Sequence, residues 1–127
     1  MNILRKSFIT LAVVVCAALL MTSTSNKAVS ADEELNIKQI MKQAFKGDLV
    51  RKVGTDKATA EEKQQLLEMS KVMAGMKPPQ GSSESWSEKT NALIAAVEAS
   101  IQGKPEASTL LKKTTNCAAC HKVHKPK

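Results

Sequence analysis

Only six residues follow the pentapeptide Cys117-Ala118-Ala119-Cys120-His121, so any further group this motif requires has to come from the chain before it. The two thiols are three residues apart and the imidazole follows the second directly. On a helix that spacing gathers the three side chains along one side. Three chemistries use such a pattern. A zinc ion wants additional nitrogen or sulfur ligands, and outside the pentapeptide the chain offers only His124 and Cys16. A redox dithiol sits after a strand at the start of a helix, and no run here alternates with the two-residue period of a strand. The remaining chemistry is covalent attachment of haem c, in which both cysteines form thioethers and the histidine ligates the iron. The spacing favours this third reading over the other two, with Cys117 and Cys120 as thioether residues and His121 as proximal ligand.

The beginning of the chain supports it. Residues 1–31 are expected to be a secretory signal peptide that is cleaved. Arg5 and Lys6 supply its basic start, Phe8 to Met21 an apolar run too short for a comfortable membrane span, and Ala28-Val29-Ser30-Ala31 the small residues that suit cleavage. An uncleaved anchor is the alternative. Haem is joined to such motifs outside the cytoplasmic membrane in bacteria, so export and motif agree on a periplasmic protein with no stable membrane span after processing. Cys16 is lost with the leader, which leaves no disulfide to form.

Cleavage also removes Arg5, Lys6 and Lys27 and no acid, so the formal charge of +7 falls to +4. That mild excess excludes nucleic acid as a natural partner, which would need a concentrated basic face. Lys112, Lys113, Lys122, Lys125 and Lys127 do gather around the motif. They are either a rim that steers an acidic redox partner or an ordinary solvated face. Phe45 and Trp86 are the only aromatics of residues 32–127, a single small domain. A porphyrin would supply bulk that such a core lacks.

Four segments carry helical periodicity. The first, Glu33 to Val53, places Ile37, Ile40, Met41, Ala44 and Phe45 on one stripe, with Gly47 as a bend and Gly54 as a stop. The second opens at the capping box Thr59-Ala60-Glu61-Glu62 and carries Leu66, Met69, Met73 and Met76 up to Pro78-Pro79. The third is expected to start at Ser85-Trp86-Ser87-Glu88, to carry Trp86, Thr90, Leu93, Ile94, Val97 and Ile101 inward, and to end near Gly103. The fourth runs from Pro105 to Pro126 with Leu110, Leu111, Thr114, Cys117 and His121 on its inner face. Short connections then predict an all-α, antiparallel up-down-up-down four-helix bundle with haem on the last helix.

In length, helix order and the terminal Asn116-Cys117-Ala118-Ala119-Cys120-His121-Lys122, the chain resembles the class II c-type cytochromes, the cytochrome c′ and cytochrome c-556 family. The resemblance implies an exported monohaem electron carrier that shuttles single electrons between periplasmic donor and acceptor proteins. It implies no catalytic residues and no enzyme activity, and it allows a homodimer. It also sends the search for a distal iron ligand to the first helix, where Met41 is the candidate. Lys38-Gln39 resembles an arginine–glutamine pair that lies near the haem propionates in that family, one residue closer to Met41 than usual. Without a methionine ligand, the resemblance implies instead a five-coordinate haem protein that binds small gases such as nitric oxide. Family members often carry an aromatic residue and then arginine where this chain has His124 and Lys125, and His124 is expected at the surface or facing a propionate.

Overall fold

The computed structural model describes residues 35–127. The expected signal peptide, with Cys16, lies outside them. Every regular element among the described residues is helical.

Helix α1 (Ile37–Ile40) starts at Asn36, whose side chain accepts the Gln39 amide while the Gln39 side chain accepts the Asn36 amide. This reciprocal cap satisfies two otherwise free donors. The rod continues as a π-helical turn, Met41–Phe45, where the amides of Lys46 and Gly47 reach back five residues to the carbonyls of Met41 and Lys42. A Cβ on residue 47 would lie 2.4 Å from the Gln43 carbonyl oxygen. Only glycine fits there, and the rod ends.

A separate helix, α2 (Leu49–Gly54), follows. It is closed by Asp56 in the left-handed conformation, φ 53°, with the amides of Asp56 and Lys57 returning to the carbonyls of Val53 and Lys52. The Lys63 ammonium holds the Asp56 carboxylate at 2.8 Å and also donates to the Ser100 carbonyl at 3.3 Å, tying this turn to a residue far along the chain.

Helix α3 (Ala60–Gly75) begins with the capping box expected from Thr59 and Glu62. Glu62 also pairs with Lys52 of α2. Helix α4 (Ser83–Ile101) starts earlier than expected. Its cap is Ser82, which accepts the Ser85 amide at 3.2 Å. It closes at Gly103, φ 66°, with the amides of Gly103 and Lys104 on the carbonyls of Ser100 and Ala99. Two short helices end the chain, α5 (Ala107–Thr114) and α6 (Cys117–His124).

The helical rods therefore number five among the described residues: α1 with its π-helical turn, α2, α3, α4, and the interrupted pair α5–α6. The expected four-helix bundle does not form. Its first helix is divided where Gly47 and Asp48 interrupt the hydrogen-bond ladder. Its last is broken at Thr115 and Asn116, which close one helix and cap the next.

One apolar cluster holds the rods. Ile40 and Ala44 come from the first rod, Val53 from α2, Leu66, Leu67, Met69 and Met73 from α3, Trp86, Leu93, Ala96 and Val97 from α4, and Leu111 from α5. The extra residue of the π-turn keeps Ile40 and Ala44 fully buried and leaves Met41 and Phe45 half-buried on its flank. Buried hydroxyls are satisfied locally, Ser70 on the Leu66 carbonyl and Thr90 on that of Trp86. Ile101 and Leu110, expected inward, are exposed.

Candidate functional site

The motif occupies a helix of its own. Thr114 and Thr115 turn their hydroxyls back onto the carbonyls of Leu110 and Leu111, and the Thr115 amide closes α5 on Leu111. Such back-bonding competes with continuation of a helix. Asn116 then adopts extended backbone and accepts the amides of Ala118 and Ala119, at 3.2 and 3.4 Å. It is an N-cap placed directly before Cys117. The interruption fixes where α6 begins, and so where each motif side chain emerges.

Cys117 and Cys120 are free thiols. Cys117 is exposed and its thiol leans on the Thr115 carbonyl at 3.8 Å. Cys120 is half-buried against the apolar cluster. Burial pushes its thiol above the ordinary value, partly offset by the Lys89 ammonium on α4. His121 is exposed. The expected inner face of Cys117 and His121 is thus corrected: of the motif's functional side chains, only Cys120 turns toward the core.

His124 is the second correction. Expected at the surface or beside a propionate, it is 2 % exposed. Its Nδ1 lies 2.8 Å from the Gln80 carbonyl oxygen and its Nε2 lies 3.2 Å from the Ser85 hydroxyl. A carbonyl only accepts, so Nδ1 carries a proton toward Gln80, and Nε2 pairs with the Ser85 hydroxyl. The ring meets the Trp86 indole edge-on, and the indole N–H donates to the Met73 carbonyl at 3.2 Å. The connecting loop closes over α6 at Gly81, φ +83°, where a Cβ would stand 2.9 Å from His124 Nδ1 and from Val123. Nothing local in the sequence marked His124, because its partners lie 44 and 39 residues away.

Met41 sits at the first position of the π-helical turn, half-buried on the same apolar cluster that Cys120 touches. The other methionines, Met69 and Met73, are core residues, and Met76 is half-buried. A cleft of about 580 Å³ lies where the start of α1 meets the end of α3, lined by Leu35, Asn36, Ile37, Lys38, Met76 and Lys77. It combines apolar walls with two ammonium groups.

Among the described residues, no group of three or more His, Cys, Asp or Glu side chains is assembled that could hold a metal ion. The expectation of a metal-binding centre is corrected to that extent. His121 and Cys117 are exposed, Cys120 is half-buried, and His124 is committed to the core, so these donors among the described residues do not converge on an ion. Among the described residues, the zinc reading finds no ligand set either. No helix among the described residues is long and apolar enough to cross a membrane. No family model, no curated protein and no solved structure matches the chain.

Proposed function

We propose that Cys117 and Cys120 carry one covalently attached haem c, that His121 ligates its iron, and that the protein passes single electrons between periplasmic redox partners. The observation that carries this reading is the arrangement on α6: two free thiols three residues apart and an exposed imidazole beside the second, on a helix whose start Asn116 fixes. The donor set fits such a group. A porphyrin would bring nitrogen donors of its own, so Cys117, Cys120 and His121 would suffice to hold it without a cage of side chains. When bound, haem supplies reversible one-electron cycling of iron.

The chain's residues divide the remaining work. Asn116 sets the start of α6 and with it the separation of the two thiols. Cys120, against the core, turns one edge of the site away from solvent, and Cys117 and His121 remain accessible for attachment and ligation. Met41 would be the chain's second residue to hold the iron, half-buried on the apolar cluster that Cys120 touches. Its thioether would favour the reduced iron and suit electron transfer. The lysines around the motif favour acidic partners, and residues 1–31 would export the chain to the periplasm.

The reading is tested by producing the full chain with a haem-attachment system. Haem that stays with the denatured polypeptide supports it, and a chain of unmodified mass does not.

A further inference from the structure

We propose that His124, three residues beyond the attachment motif and no ligand itself, is the latch that seats α6, and that it positions His121 and Cys120. The proposal rests on the haem reading for its functional half and on the geometry alone for its structural half.

α6 spans eight residues, too short to hold its place through its own hydrogen bonds. Most of its surface is exposed: Cys117, Ala118, Ala119, His121, Lys122 and Val123 all face solvent. Cys120 is half-buried, and His124 is the one fully buried residue of the helix. The anchorage of α6 therefore concentrates on a single ring. That ring is held on three sides, by the Gln80 carbonyl at 2.8 Å, the Ser85 hydroxyl at 3.2 Å and the Trp86 indole. The partners sit on two connected supports, the α3–α4 loop and the first turn of α4. Gln80 is in the α3–α4 loop, Ser85 in the first turn of α4, and Trp86 is itself tied to α3 through Met73.

His124 lies three residues beyond His121 and four beyond Cys120, within one helical turn of both. A rotation or lifting of α6 at its end is felt directly at the proximal imidazole and the half-buried thiol. The polar bonds also give a direction that an apolar side chain at residue 124 could not. They define one rotation of the helix about its axis, where hydrophobic contact alone would accept several.

The test has two arms, both on the full chain. In the first, before haem attachment, the two thiols are labelled with a maleimide and their rates resolved by peptide mass. His124→Phe keeps a ring against Trp86 and loses both hydrogen bonds. His124→Asn retains a donor at the Nδ1 position. The expected result is a Cys120 rate roughly tenfold faster in His124→Phe and intermediate in His124→Asn, with Cys117 unchanged in both. Ser85→Ala, which removes one bond and no bulk from the core, decides the matter should His124→Phe lose its helix content. A wild-type Cys120 rate in whichever of these two variants stays folded overturns the latch.

In the second arm the same variants are loaded with haem and titrated for midpoint potential. A shift in His124→Phe that His124→Asn reverses supports a positioning role for His121. An unchanged potential removes that role. If the wild-type chain takes up no haem, the functional reading fails while the labelling arm still decides the latch.

Discussion

The edge of the His124 imidazole meets the indole of Trp86 with ring centroids 5.2 Å apart and planes inclined by 73°. Edge-to-face rings attract beyond their area of contact, and this pair joins α6 to α4. Because the indole N–H also bonds the Met73 carbonyl, Trp86 is the residue through which α3, α4 and α6 meet. Trp86→Ala should cost about 3–5 kcal/mol of stability by loss of bulk alone. Trp86→Phe, which keeps a ring and loses the donor, should cost about 1–2 kcal/mol. Urea unfolding curves check both, and equal midpoints for the two variants would show that the bulk of residue 86 is unimportant.

Gly81→Ala tests the loop that closes over α6. At φ +83° a side chain is strained, and its Cβ would press on His124 Nδ1, Val123 Cγ1 and the Val123 carbonyl. We expect a loss of about 1–3 kcal/mol from backbone strain and crowding. The same change at Gly75, where a Cβ meets nothing, should be neutral or slightly stabilising, since it lies in a helix. Thermal midpoints of the two variants give the contrast directly.

Acid should weaken the junction of α2 and α3. The Lys52 ammonium, and then the Thr59 amide, hold the Glu62 carboxyl below its ordinary value, and Lys63 does the same for Asp56. A carboxyl whose folded-state value is depressed contributes stability above the unfolded value. That contribution is lost as pH falls through the folded one. The loss should therefore begin below about pH 4.5 and deepen toward more acid conditions. Glu62→Gln should flatten that part of the stability–pH profile, and an unchanged profile would deny the carboxylate its part.

Much of this was legible in the residues, and the failures have physical causes. Thr59 and Glu62 announce a helix start because both partners of the capping box lie within four residues, and the helix does begin there. Gly103 closes α4 as read, because only its immediate neighbours take part. Ser85 was the wrong cap. Ser82 to Ser85 offers several hydroxyls, and the choice among them is made by Trp86, which must sit a turn inside the helix to reach the Met73 carbonyl. The π-helical turn at Met41 leaves apolar residues at ordinary helical spacing, so nothing in the pattern reveals it. Asn116 lies inside a run of helical periodicity, so the pattern hides the break at which it caps α6. His124, expected at the surface or facing a propionate, is buried against a carbonyl and a hydroxyl far away in sequence.

Met41 separates the two functions that a haem on α6 would allow. In the haem-loaded protein, Met41→Ala should convert a low-spin ferrous spectrum that ignores carbon monoxide into a high-spin one that shifts on its addition. A wild-type spectrum that already shifts with the gas would favour the gas-binding alternative, and an unchanged spectrum in Met41→Ala would take Met41 out of the site.

The most direct test of the central claim is the mass of the polypeptide itself. The full chain and its Cys117→Ala, Cys120→Ala double variant are produced together with a haem-attachment system, denatured in acid, extracted with organic solvent and weighed. The account predicts that the wild-type chain keeps the added mass of one haem through extraction and that the double variant keeps none. A wild-type chain that emerges with only free thiols, or with a Cys117–Cys120 disulfide, would contradict it.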